Sequence, residues 1–220
     1  MKRRALLLAA ALAGAAASAP AADVGVVNHL AGLVTVTNGT GTARAQAYMN
    51  INEGDRFEVP EGVVVKVAYF KSGRQESFSG PVSFTVGSQQ SVVRRGSGPQ
   101  VSVLPSAVSQ KISQTPELVQ IAKLGAAGTG PYTPPASTRE LRLSPQQQAE
   151  VRQAREIYAK LRADTPADDI TPELYLYSVL QDHLLYNEMR AIVAAMAKRQ
   201  PANGDVAVLA EYVRLTTQPK

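Results

Sequence analysis

Cysteine is absent from this chain, and the absence excludes two things at once. No disulfide can staple the fold, and no lipid anchor can be attached through a cysteine at a processed N-terminus. A chain of 220 residues without crosslinks must hold itself together by burial, and this length suits one compact domain plus a smaller one. Histidine is nearly absent. His29 and His183 are the whole supply, and without cysteine or a His-x-x-x-His spacing no metal centre is expected. No Gly-x-Ser-x-Gly elbow is present to expose a serine nucleophile. Aromatic residues make up 5% of the chain. They are not interleaved with its basic residues, so nucleobases would find no stacking platform and nucleic acid is not an expected partner.

Long apolar runs are missing too, except at the start. Lys2, Arg3 and Arg4 precede the apolar stretch from Ala5 to Ala17, and Ala19-Pro20-Ala21 follows with small residues. This is the pattern of a cleavable signal peptide over residues 1–22. Cleavage after Ala21 or Ala22 is favoured, because cleavage after Ala19 would leave Pro20 at the new terminus. The run is too short to span a bilayer core of about 30 Å, which takes roughly 20 residues. Export to a bacterial periplasm is therefore expected, with no transmembrane segment after leader removal. A cysteine-free chain suits that oxidising compartment.

The formal charge of +5 falls to +2 without the three leader cations. Its distribution is uneven. Residues 23–65 carry a net −3, whereas residues 66–123 carry +5, with Lys66, Lys71, Arg74, Arg94 and Arg95 on the strands. Those five are the candidate contacts for an anionic polymer. The plainer reading is solubilising and edge-protecting charge. Glu53, Asp55, Glu58 and Glu61 have the residue types of a glycosidase pair, but Asp55 after Gly54 reads better as a turn residue. Asp164, Asp168 and Asp169 lack the spacing and glycine of a calcium loop and read as helix-end caps.

Period-two hydrophobicity runs from Asp23 to about Leu104. Val34 and Val36 share a face, as do Val63, Val65, Val67 and Tyr69, then Val82, Phe84 and Val86, then Val101 and Val103. Glycine and proline interrupt every few residues, so many short strands are expected. The run from Val63 to Phe70 is apolar on both faces except at Lys66 and reads as the central strand. Ser72-Gly73 reads as a two-residue hairpin turn.

Helical grammar takes over after Pro105. Thr115-Pro116-Glu117 predicts a helix start capped by Thr115, and Gly125 predicts its end, giving a connecting helix over 106–125. Residues 126–143 are rich in glycine, proline and small residues and read as a linker. The last third repeats at a step of 35 residues: Ala154 with Met189, Leu174 with Leu209, Tyr177 with Tyr212, and Pro166 with Pro201. Two helices per unit at this period resemble the tetratricopeptide repeat over residues 144–217. Leu184 stands where that motif has a small residue, and Met189 where it has alanine. Tyr175, Tyr186 and Arg190 are the candidate partner contacts of this region, although tyrosines at helical spacing also suit solenoid packing.

Gly32-Leu33-Val34, Glu53-Gly54-Asp55-Arg56-Phe57, the strand to Phe70 and the Ser72-Gly73-Arg74 turn resemble the FecR-like domain over about Val27 to Val86. Lys71-Ser72-Gly73-Arg74 replaces that family's Asp-Gly-Ser. The resemblance implies a β-rich extracytoplasmic domain that scaffolds or transmits through protein contacts. Iron signalling is not carried over, because the leader is the one hydrophobic segment in the sequence. The expected fold class is α+β, an all-β FecR-like roll or sandwich over 23–105 followed by a helical region. The expected function is that of a non-enzymatic scaffold in the cell envelope, without cofactor, its partner another envelope protein. The alternative is a binder of peptidoglycan or an anionic polysaccharide through the basic strands. Leu7→Arg, which places a charge in the leader's apolar stretch, is expected to hold the chain in the cytoplasm on cell fractionation. Export of that variant would remove the leader assignment.

Overall fold

The computed structural model describes residues 23–126 and 143–217; the leader and nearly all of the linker fall outside them. Alternation builds the first half. One antiparallel sheet contains β1 (Asp23–Ala31), β4 (Asn50–Asn52), β6 (Val64–Tyr69), β7 (Arg74–Ser79) and β10 (Gln100–Val103), in the order β10-β7-β6-β1-β4. The second contains β2 (Thr35–Asn38), β3 (Gly41–Arg44), β5 (Arg56–Val59), β8 (Val82–Val86) and β9 (Ser91–Arg95), in the order β3-β2-β5-β8-β9. Val27, Val65, Val67, Tyr69 and Phe78 of the first sheet meet Val36, Phe57, Val59, Phe84 and Val86 of the second and Val34 just before β2. Phe84 stacks on Phe57 at 5.0 Å and on Phe78 at 3.9 Å between ring centroids. The two sheets form a sandwich, and β6 occupies the middle of the first, as its apolar run predicts.

The second face of that central strand decides the rest of the fold. Val65, Val67 and Tyr69 point into the sandwich, whereas Ala68 and Val26 belong to a second core shared with the helices. A strand apolar on both faces needs a layer on each side, and the helices supply it. Gly25 allows β1 and β6 to approach, since a Cβ there would lie 2.3 Å from the Ala68 carbonyl oxygen.

Local structure departs from the sequence reading in four places. The β6–β7 connection has four residues, Phe70 to Gly73, rather than two. Gly73, at φ 64°, donates its N–H to Tyr69 and accepts from Leu104, so one turn also anchors the start of the helical half. The connecting helix is two helices, α1 (Ser106–Ile112) and α2 (Thr115–Ala126). Thr115 does not cap α2, for its buried hydroxyl has no hydrogen-bond partner. Gly125 lies within α2 rather than closing it. The Tyr212 ring packs so close that a Cβ there would sit 2.9 Å from it.

Four further helices follow: α3 (Pro145–Asp164), α4 (Thr171–Asp182), α5 (Tyr186–Arg199) and α6 (Gly204–Thr216). Ser144 and Gln147 form a capping box at the start of α3. The 35-residue step appears as matched burial. Ala154 and Met189, Leu174 and Leu209, and Tyr177 and Tyr212 are all buried. Leu184, in the short α4–α5 connection, takes a left-handed φ of 56°, a conformation that a small residue would adopt at less cost.

α4 is buried from Thr171 to Leu180, and one charge is buried with it. Glu173 is 0% exposed and accepts hydrogen bonds from Arg162 and Arg199, each at 3.0 Å. Tyr158 also donates to it at 3.3 Å. The two guanidinium groups then hold the loop before α4. Arg162 donates to the carbonyls of Asp169 at 2.6 Å, Thr165 at 2.7 Å, and Pro166, and Arg199 donates to that of Ala167 at 2.8 Å. Removing one member of a buried charge cluster strands the others, at a cost of about 3–5 kcal/mol. Glu173→Ala is expected to lose that much in urea unfolding, whereas Glu117→Ala, on an exposed face of α2, stays within about 0.5 kcal/mol.

Candidate functional site

A groove lies where the first sheet meets α3. Lys66, Gln75, Ser77, Gln100 and Ser102 form its sheet side, and Ile157, Lys160, Leu161 and Asp164 of α3 form the opposite wall, with Leu104 and Pro105 at one end. The cavity measures about 530 Å³. Strand pairing aligns the sheet residues. Lys66 lies opposite Ser77, and Ser77 opposite Gln100, while Gln75 lies opposite Ser102. The Ser102 hydroxyl donates to Gln75 at 3.0 Å.

Asp169 closes the inner end. Its carboxylate pairs with Lys66 at 3.1 Å and accepts the Thr171 N–H at 2.8 Å. Burial pushes its pKa upward, but the hydrogen bonds from Thr171 and the charge of Lys66 outweigh that and leave it below the usual carboxylate value. It precedes the N-cap, Ile170, yet accepts the first N–H of α4, and it also ties α4 to β6. Asn28 on β1 adds a bond to the Thr171 hydroxyl at 3.2 Å.

His29 stands beside this junction and is buried rather than superficial, at 8% exposure. The Gln200 amide donates one hydrogen to its Nδ1 at 3.1 Å and the other to the Asp168 carbonyl at 2.6 Å. Nδ1 is thus an acceptor, and the Nε2 edge faces the Asp168 carboxylate at 3.8 Å. His183 pairs with Glu150 at 3.4 Å elsewhere. Asp55 is buried and accepts the Asn52 N–H at 2.9 Å, as a turn residue does. No group of histidine, aspartate and glutamate among the described residues could hold a metal ion.

The five basic candidates are not brought together. Lys66 faces the helices, paired with Asp169; Arg74 bonds Glu76 at 2.5 Å; Arg95, on the second sheet, pairs with Glu58 at 3.4 Å. Arg94 is exposed and donates to the Thr85 hydroxyl at 3.1 Å, and Lys71 is exposed in the β6–β7 turn. The helical candidates also separate. Tyr175 is 3% exposed and belongs to the core, which removes it from any contact surface. Tyr186 is half-buried with its ring edge-on to Tyr212, and Arg190 is exposed one turn further along α5.

Sequence reasoning passed over Ile157, Lys160 and Leu161. Ile157 and Leu161 share one helical stripe, a signal that was legible, but the strand face completing the groove was not.

The chain is thus an α+β protein, a β-sandwich carrying a helical layer on one sheet. No family model, no curated protein and no solved structure matches it.

Burial of His29, and secondarily the charge of Lys66, lowers its pKa below 6.5, against opposing contributions from Asp168 and Asp169. The folded state therefore prefers the neutral ring, and the unfolded state binds the proton more readily. Stability is complete above the ordinary value and falls as pH drops below it. Between about pH 7.5 and about pH 5 the melting temperature is expected to decline, and His29→Asn to flatten that decline. Thermal melts across the range, wild type against variant, check it.

Proposed function

We propose that this chain is a non-enzymatic, exported interaction module of the bacterial cell envelope, whose contact surface is the groove between α3 and the first sheet. The groove itself carries the reading. Its walls combine aliphatic side chains (Ile157, Leu161, Leu104) with a few polar groups from the strands, and Asp169 and Lys66 neutralise each other at the inner end. Such a lining suits a protein segment better than a polyanion. In this reading the sandwich is a FecR-like domain and the helices are a short tetratricopeptide-like unit. The helices dock on the sandwich instead of stacking on further repeats. The leader at residues 1–22 supports the compartment, and among the described residues no helix is long and apolar enough to cross a membrane.

Anionic polysaccharide remains the weaker alternative. Three of its five candidate cations are engaged in ion pairs within the chain, which leaves Lys71 and Arg94.

Ser77→Trp, which fills the groove from the sheet side, tests the leading reading. Crosslinking in cells, followed by affinity recovery and mass spectrometry, should show an envelope protein with the wild type. Its recovery should fall about tenfold with the variant, a loss of about 1.4 kcal/mol. An unchanged recovery from a variant that still melts like the wild type would overturn the groove as the contact surface.

A further inference from the structure

The first sheet ends on β10, and this edge differs from the other three. Natural edges are blunted by charge, proline or shortness. β4 has three residues, β3 carries Arg44, and β9 carries Arg94 and Arg95. β10 reads Gln100-Val101-Ser102-Val103, uncharged and exposed throughout.

Register shows which of its backbone groups are free. The Leu104 N–H bonds the Gly73 carbonyl at 2.8 Å, and in the same register Ser102 lies opposite Gln75 and Gln100 opposite Ser77. Bonded and non-bonded pairs alternate along an antiparallel ladder. Val101 and Val103 therefore turn their N–H and C=O groups away from β7, toward the open edge. The same two residues carry exposed aliphatic side chains, at 46% and 71%. They flank Ser102 symmetrically.

We infer that a second copy of this chain pairs with β10, antiparallel, about a two-fold axis through Ser102. Each Val101 then exchanges both backbone bonds with Val103 of the second copy, and the four valine side chains cover one another as cross-strand pairs. The edge is self-complementary, as an isologous contact requires. The axis stands perpendicular to the sheet, so both helical layers lie on one side and the two α3 grooves open toward each other. A standard interface buries about 1,200–2,000 Å² in total, more than a four-residue strand supplies, so the exposed rim of α3 at Lys160 and Asp164 contributes to the remainder while Ile157 and Leu161 stay on the groove side. Charge supports this. Lys160 and Asp164 are exposed one turn apart on α3, and neither has an ion pair within the described chain. Antiparallel apposition sets each Lys160 against the other copy's Asp164.

The native chain's lack of cysteine makes the test direct, because one introduced thiol reports one contact. Two Ser102 residues on the axis form a non-bonded pair with Cα atoms about 4.5 Å apart, within disulfide reach. The purified full-length mature chain with Ser102→Cys should become a disulfide-linked dimer under mild oxidation. Gln100→Cys, displaced from the axis, should crosslink about tenfold less because its thiols lie beyond about 7 Å. Sedimentation should give twice the chain mass for the wild type and the single mass for Val103→Lys, which sets like charges at the seam. A monomeric wild type, equal crosslinking of the two cysteine variants, or a dimer indifferent to Val103→Lys each overturns the inference. So does an extended peptide from another protein found on the β10 edge of a monomeric chain. Partner recovery through the groove is a separate readout that a failed dimer leaves standing.

Discussion

A buried carboxylate in the loop before α4 ties the helical layer to the sandwich, and a second ties the helices to one another. Asp169 is buried between β6 and α4 with Lys66 as its counter-ion, and Glu173 is buried one helical turn further on with Arg162 and Arg199. The carbonyls of Thr165, Pro166, Ala167 and Asp169 are taken by the same two arginines. Buried charge is costly to dehydrate and tolerated only when every partner is in place. That constraint makes the junction specific. In this arrangement the lysine of β6 meets Asp169 and Asn28 of β1 meets Thr171. Apolar contacts around Val26, Ala68 and Tyr48 add buried area at the same junction.

The groove is a consequence of this anchoring. α3 must stand close enough to α4 for Arg162 to reach Glu173, yet β7 and β10 extend beyond the edge of the helical layer. The uncovered strip of sheet and the outer side of α3 become its two walls. Its polar floor is set by strand alternation, since Lys66, Ser77 and Gln100 lie in line across three strands on the helix-facing side. The open β10 edge borders the same space, so groove and edge form one continuous surface. His29 lies against the same loop, bonded to Gln200 and facing Asp168.

Much of the fold was legible in the residues. Val65, Val67 and Tyr69 alternate into the sandwich as their spacing predicts, and the 35-residue step reappears as paired burial of Leu174 and Leu209. Asp55 was readable as a turn residue because its chemistry is local. The misreadings were also local in origin. Thr115 has the identity of a cap but is buried elsewhere, and Gly125 resembles a helix end but makes room for Tyr212. Tyr175 looked available for contact because helical spacing does not say which side meets the sheet. The basic residues formed one group along the chain, yet strand topology sends them to different faces.

Sequence alone determined what short-range physics controls: the alternation of strands, the switch to helical period after Pro105, and the repeat step. Tertiary structure decided which residues from distant segments meet. Lys66 and Asp169 are 103 positions apart, and Asn28 and Thr171 are 143 apart. Contacts at such separation depend on how layers stack. No periodicity along one chain encodes that directly, so the groove and the junction became visible only once the two halves were packed.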